Sequence, residues 1–76
     1  MLKIKEDKMQ ELEKFGFLTR PESEYYKFVY EDEYLWVDKF TRVIDVTSPI
    51  YECDFEYCKK IIKKLIKADM VEKVEE

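Results

Sequence analysis

Histidine is absent from this sequence, and glycine occurs once, as Gly16. Hydroxyl side chains are also scarce: two serines (Ser23, Ser48) and three threonines (Thr19, Thr41, Thr47). Most acid–base chemistry near neutral pH uses histidine as its switchable base. Phosphate cradles need glycines that let the backbone approach the ligand. Neither resource is present, so the chain carries no catalytic signature and is read as a non-enzyme without cofactor. No stretch approaches the roughly 20 apolar residues of a membrane span. The opening residues Met1-Leu2-Lys3-Ile4-Lys5-Glu6 lack an apolar core of signal-peptide length. The expectation is a cytoplasmic protein with no membrane contact. Only two cysteines occur, Cys53 and Cys58; reduced thiols fit that compartment. Their spacing matches no zinc pattern, and no histidine exists to complete a site.

What is there is globular. The chain of 76 residues is 46% hydrophobic and 16% aromatic, and its 42% charged residues nearly cancel to a net charge of −4. Disordered chains instead combine low hydrophobicity with a large net charge. The length allows one domain, residues 1–76, which buries only about 60% of its unfolded surface. Aromatic side chains, five Phe, six Tyr and one Trp, therefore supply much of the buried area.

Met9, Leu12 and Phe15 recur at intervals of three and predict a helix over Glu6–Phe15, with Asp7 as a candidate cap at its start and Gly16 as its stop. Leu2 and Ile4 alternate with lysines as an extended lead-in. From Tyr25 the pattern becomes aromatic and β-branched: Tyr25–Tyr30, Tyr34–Lys39 and Arg42–Thr47 read as strands. Short connections, Glu31-Asp32-Glu33 and Asp38–Thr41, make them an antiparallel meander. With a four-residue loop over Asp38–Thr41, Val37 pairs with Arg42 and Leu35 with Ile44. Leu35, Val37, Ile44 and Val46 then share one face, joined by Tyr26, Phe28 and Tyr30, with Arg42 at its edge. Trp36 and Val43 meet on the other, flanked by Tyr34 and Asp45. Over Asp54–Ala68, Phe55, Cys58, Ile62, Leu65 and Ile66 form the apolar stripe of a second helix. Asp54 is a candidate cap, Ser48-Pro49 offers an earlier start, and Asp69 is placed in the left-handed position that ends the helix. Met70–Val74 reads as a short strand or a further helical turn. The expected fold is α+β: helix, three-stranded antiparallel meander, helix, in two layers, both helices covering the aliphatic sheet face.

Three constellations bear on function. Lys59, Lys60, Lys63, Lys64 and Lys67 offer a grip on phosphate, yet they are also the outward face of an amphipathic helix, answered by Glu72, Glu75 and Glu76. Arginine, the usual base reader, is absent from that helix, so nucleic acid is the disfavoured alternative. Glu22, Glu24, Glu31, Asp32 and Glu33 surround the first strand with only Lys27 among them. They lack the ligand order of a calcium loop and read as a solvated surface suited to a basic partner protein. Tyr25, Tyr26, Phe28, Tyr30, Tyr34 and Trp36 crowd two strands, half as core and half on the open face. Tyr25, Glu31, Asp32, Glu33, Tyr34, Trp36 and Val43 are therefore the candidate partner-binding residues, the leading function is a protein-interaction domain, and a monomer or a self-associating homodimer is expected.

The segments Leu12-Glu13-Lys14-Phe15-Gly16-Phe17, Arg42-Val43-Ile44 and Leu65-Ile66-Lys67-Ala68-Asp69-Met70-Val71-Glu72-Lys73-Val74 resemble a group of small uncharacterised proteins encoded by phages and prophages of Firmicutes. The resemblance implies an α–β–β–β–α domain of viral or mobile-element origin and supplies no activity; the partner expected for the interaction domain is accordingly a host or phage protein.

Overall fold

The computed structural model describes residues 2–48 and 55–74. The chain runs β1 (Leu2–Ile4), a 3-10 helix (Glu6–Phe15), β2 (Tyr25–Tyr30), β3 (Glu33–Asp38), β4 (Ile44–Thr47), α1 (Glu56–Lys67) and β5 (Val71–Lys73). This is a mixed α and β fold with two helices and antiparallel sheets. Two strands are added to the expected order. β1 pairs with β5 in a second sheet, Leu2 opposite Lys73 and Ile4 opposite Val71. A bridge between Lys3 and Val43 links that ribbon to β4. Of the two alternatives for the tail, the short strand is the one observed, and the extended lead-in is its partner; the pairing of the two across the whole chain is what neither segment signals.

The first helix has the predicted bounds but the tighter 3-10 form. Ten residues is long for such a helix, which rarely exceeds three or four. The sequence period is compatible with it. At three residues per turn, positions i and i+3 eclipse, so Met9, Leu12 and Phe15 form one straight apolar column. Lys8, Glu11 and Lys14 form a second, with ion pairs at 3.9 and 4.0 Å through Glu11. Asp7 lies within the first turn, and the cap position is Lys5, which makes no side-chain capping bond. Gly16 ends the helix at φ 91°. Its N–H donates to the Glu13 carbonyl, and the Phe17 N–H to that of Leu12, both at 3.2 Å. This 5→2 and 6→1 pair is a Schellman motif.

The helix α1 ends in the same way. Asp69 takes the left-handed position at φ 60°, as expected from the sequence, and Asp69 and Met70 donate to Ile66 and Leu65, both at 3.0 Å. The Asp69 carboxylate accepts from Lys5 Nζ at 2.7 Å. That bond holds the carboxyl below its usual range and the ammonium above its own. The start of α1 differs from expectation. Phe55 precedes it at φ 53°, so a right-handed helix from Ser48-Pro49 cannot run through it; Pro49, Asp54 and Cys53 lie outside the described residues. Ile66 is 51% exposed, and Ile61 packs on the core instead. Cys58, Ile61, Ile62 and Leu65 form the i, i+3, i+4, i+7 stripe.

In the three-stranded sheet, order β2-β3-β4, β2 has its predicted limits. Tyr26 lies opposite Val37, Phe28 opposite Leu35 and Tyr30 opposite Glu33, so all three aromatic rings lie on the aliphatic face as expected. The second hairpin is displaced by one residue on each strand: Val37 faces Ile44, Leu35 faces Val46, and Trp36 faces Asp45 rather than Val43. The cause is Asp38. Its Oδ1 accepts the N–H groups of Phe40 at 2.7 Å and Thr41 at 2.9 Å, which fixes it as the residue before the turn. These bonds, that of Thr41 first, hold its carboxyl below the usual range. Because both strands shift together, side-chain parity survives. Ile4, Leu12, Phe17, Tyr26, Leu35, Val37, Cys58, Leu65 and Met70 form the buried core.

Candidate functional site

Alternation along the strands sorts the side chains into two faces. The inner face carries Leu35 and Val37, both fully buried. The outer face carries Tyr25, Lys27 and Val29 from β2, Tyr34 and Trp36 from β3, and Asp45 and Thr47 from β4. None of these outer side chains belongs to the core.

Trp36 is the hub of the outer face. Its Nε1–H donates to Thr47 Oγ1 at 2.8 Å. Its ring meets Tyr25 edge-on at a centroid distance of 5.7 Å and lies nearly parallel to Tyr34 at 6.1 Å. Lys27, directly opposite on β2, extends its ammonium over both rings, 5.1 Å from the Trp36 centroid and 5.3 Å from that of Tyr34. The rings thus form one cross-strand cluster with a cation lying over it.

The segment before β2 turns this face into a hollow. Leu18 and Lys27 exchange backbone hydrogen bonds of 2.7 and 2.8 Å. The Ser23 and Thr19 hydroxyls donate to the Tyr25 carbonyl at 3.2 and 3.4 Å, and Lys39 Nζ donates to the Arg20 carbonyl at 3.2 Å. Behind this wall lies a cavity of about 440 Å³, lined in part by Leu18, Arg20, Tyr25, Lys27, Val29 and Trp36. A second hollow of about 250 Å³ adjoins it across Tyr25 and Trp36, against Asp45 and Thr47. Leu18 is 73% exposed, so its apolar side chain is available at the mouth.

The structure brings Tyr25, Tyr34 and Trp36 together and separates the remaining candidates. Glu31 and Asp32 are exposed at the β2–β3 turn, where Glu31 has φ 51°. Glu33 is not a loop residue: it belongs to β3, faces inward and is 8% exposed. Its Oε1 accepts the Cys58 N–H at 3.3 Å, the third residue of α1. A helix start leaves such N–H groups without intrahelical partners, and Phe55 makes no side-chain capping bond there. Val43 is half-buried and bridged to Lys3, and the residue opposite Trp36 is Asp45. Beside the turn, the Tyr30 and Tyr57 rings lie 3.9 Å apart, tilted by 33°; the Tyr30 hydroxyl first, then the nearby charge of Glu31, pushes the Tyr57 hydroxyl up.

Leu18, Thr19, Arg20, Ser23 and Lys27 were not legible as site residues. Lys27 shares its parity with Tyr25 and Val29, a signal that strand alternation alone provides. The wall residues precede the strand and carry no periodic signal. The five helix lysines are exposed. Glu72 does not answer them: it pairs with Lys3 at 3.7 Å and Arg42 at 3.8 Å across the β1–β5 ribbon. Glu75 and Glu76 lie outside the described residues.

Among the described residues, no three His, Cys, Asp or Glu side chains are placed to hold a metal ion. No helix among them is long and apolar enough to cross a membrane. Comparison of this chain with protein-family models, curated proteins and solved structures finds no match.

Proposed function

We propose that this protein is a non-enzymatic interaction domain that binds another protein through the outer face of the β2-β3-β4 sheet. The observation that carries this reading is the position of Trp36. The chain's one tryptophan lies outside the core, clustered with Tyr25 and Tyr34. Tryptophan and tyrosine dominate the energetics of protein interfaces because they offer large, stiff contact areas with a polar handle. In the phage-type setting that the sequence resemblance implies, the partner is a protein of the host or of the phage, met in the cytoplasm.

The test is capture from a lysate of the producing cell. Proteins retained by the wild-type chain are expected to be lost with Tyr34→Ala and Trp36→Ala combined, and kept with Lys60→Glu and Lys64→Glu combined. The opposite pattern would transfer the function to the lysine face of α1 and favour the nucleic-acid reading.

A further inference from the structure

The hollow on the outer face differs in charge from the molecule around it. The chain carries a net charge of −4, yet the charged side chains lining the 440 Å³ cavity are Arg20 and Lys27. Among the described residues, neither has a carboxylate within ion-pair distance. Asp45, in the adjoining hollow, directs Oδ1 to the Val46 N–H at 2.9 Å, along its own strand. Apolar wall is supplied by Leu18 and Val29, and aromatic wall by Tyr25 and Trp36.

We propose that this cavity accepts an acidic segment of a partner protein, with a carboxylate seated between Arg20 and Lys27 and a flanking apolar side chain against Leu18 and Val29. The inference rests on the interaction surface described above and names its chemistry. Three observations select this occupant. The cavity exceeds a single side chain and falls within the range of about 300–1,000 Å³ that holds compact ligands. Its two charges are of one sign: Lys27 stands on β2 itself, and Arg20 on the segment hydrogen-bonded to that strand, its carbonyl held by Lys39. Lys27 lies over the faces of Tyr34 and Trp36, the same faces on which a nucleobase would stack, so the arrangement favours an anion over a base.

Trp36 is a built-in reporter, since it is the one tryptophan. The probe is a short capped peptide of alternating leucine and glutamate, titrated at physiological salt while Trp36 emission is followed. A saturable change is expected, about tenfold weaker in Lys27→Gln or Arg20→Gln, in line with the loss of one close charge pair. Near-ultraviolet circular dichroism of each variant separates weakened binding from lost fold. Three results would overturn the proposal: no saturable change up to millimolar peptide, equal binding of the matching leucine–lysine peptide, or a response to single-stranded oligothymidine but not to the glutamate peptide. Sedimentation in the absence of probe provides a further arm, and a dimer dissolved by Trp36→Ala would assign the face to a second copy. If a lysate partner is lost with Tyr34→Ala and Trp36→Ala but binds Lys27→Gln and Arg20→Gln undiminished, the interaction surface stands and the acidic-segment assignment falls.

Discussion

Glu33 caps a helix that begins more than twenty positions after it. Its carboxylate accepts the Cys58 N–H at 3.3 Å, joining the start of α1 to the inner face of β3. Both residues are buried, so the bond fixes where α1 lands on the sheet. The Glu33→Ala variant leaves a helix N-terminal donor without this acceptor and is expected to cost about 1–3 kcal/mol in urea unfolding. Glu33→Gln keeps an acceptor oxygen and should cost less. Equal losses for the two variants would assign the effect to packing rather than to the bond.

Gly16 is a backbone requirement. At φ 91° it terminates the 3-10 helix, and a Cβ there would meet only the Phe28 ring at 3.5 Å, an ordinary contact. Gly16→Ala should therefore cost about 1–2 kcal/mol from left-handed strain alone, and Gly16→Asn less. A loss well above that range would reveal a steric clash that the geometry does not contain.

Acid sensitivity follows from Asp38. The N–H groups of Thr41 and Phe40 hold its carboxyl below the ordinary value. A carboxyl depressed in the folded state adds stability above its unfolded pKa, near 3.9, and loses it as pH falls through the folded value. Asp38→Asn keeps an acceptor but has no charge to lose. The stability gap between wild type and Asp38→Asn should thus be widest at neutral pH and close as pH falls below about 4. Urea midpoints measured from pH 7 to pH 2 check this; a gap that widens on acidification would contradict it.

Much of this fold is written in local patterns. Strand β2, both helix-ending residues Gly16 and Asp69, and the parity of the three strands follow from alternation and turn chemistry. What stays hidden depends on contacts between distant segments. The β1–β5 ribbon exists because Leu2–Ile4 finds Val71–Lys73, and neither segment signals that alone. Glu33 reads as one more acid in a charged turn, and only the arrival of α1 makes it a buried cap. The three-residue period of Met9, Leu12 and Phe15 is visible in the sequence, but an α-helix uses the same spacing, so the tighter winding is not separable from it. At the candidate site, Tyr25, Tyr34 and Trp36 are legible from strand parity. Arg20 is not, because a loop bridged to β2 brings it to the cavity.

Strand β3 divides a buried inner face from an aromatic outer one. Adjacent residues test it most directly: Leu35, fully buried, and Trp36, outside the core. Urea unfolding of Leu35→Ala should show a loss of about 2–5 kcal/mol. Trp36→Ala should lose about 1–2 kcal/mol, from its ring contacts and the bond to Thr47, and still unfold cooperatively. If Trp36→Ala unfolds the protein while Leu35→Ala is tolerated, the faces are reversed and the outer surface is not available to a partner.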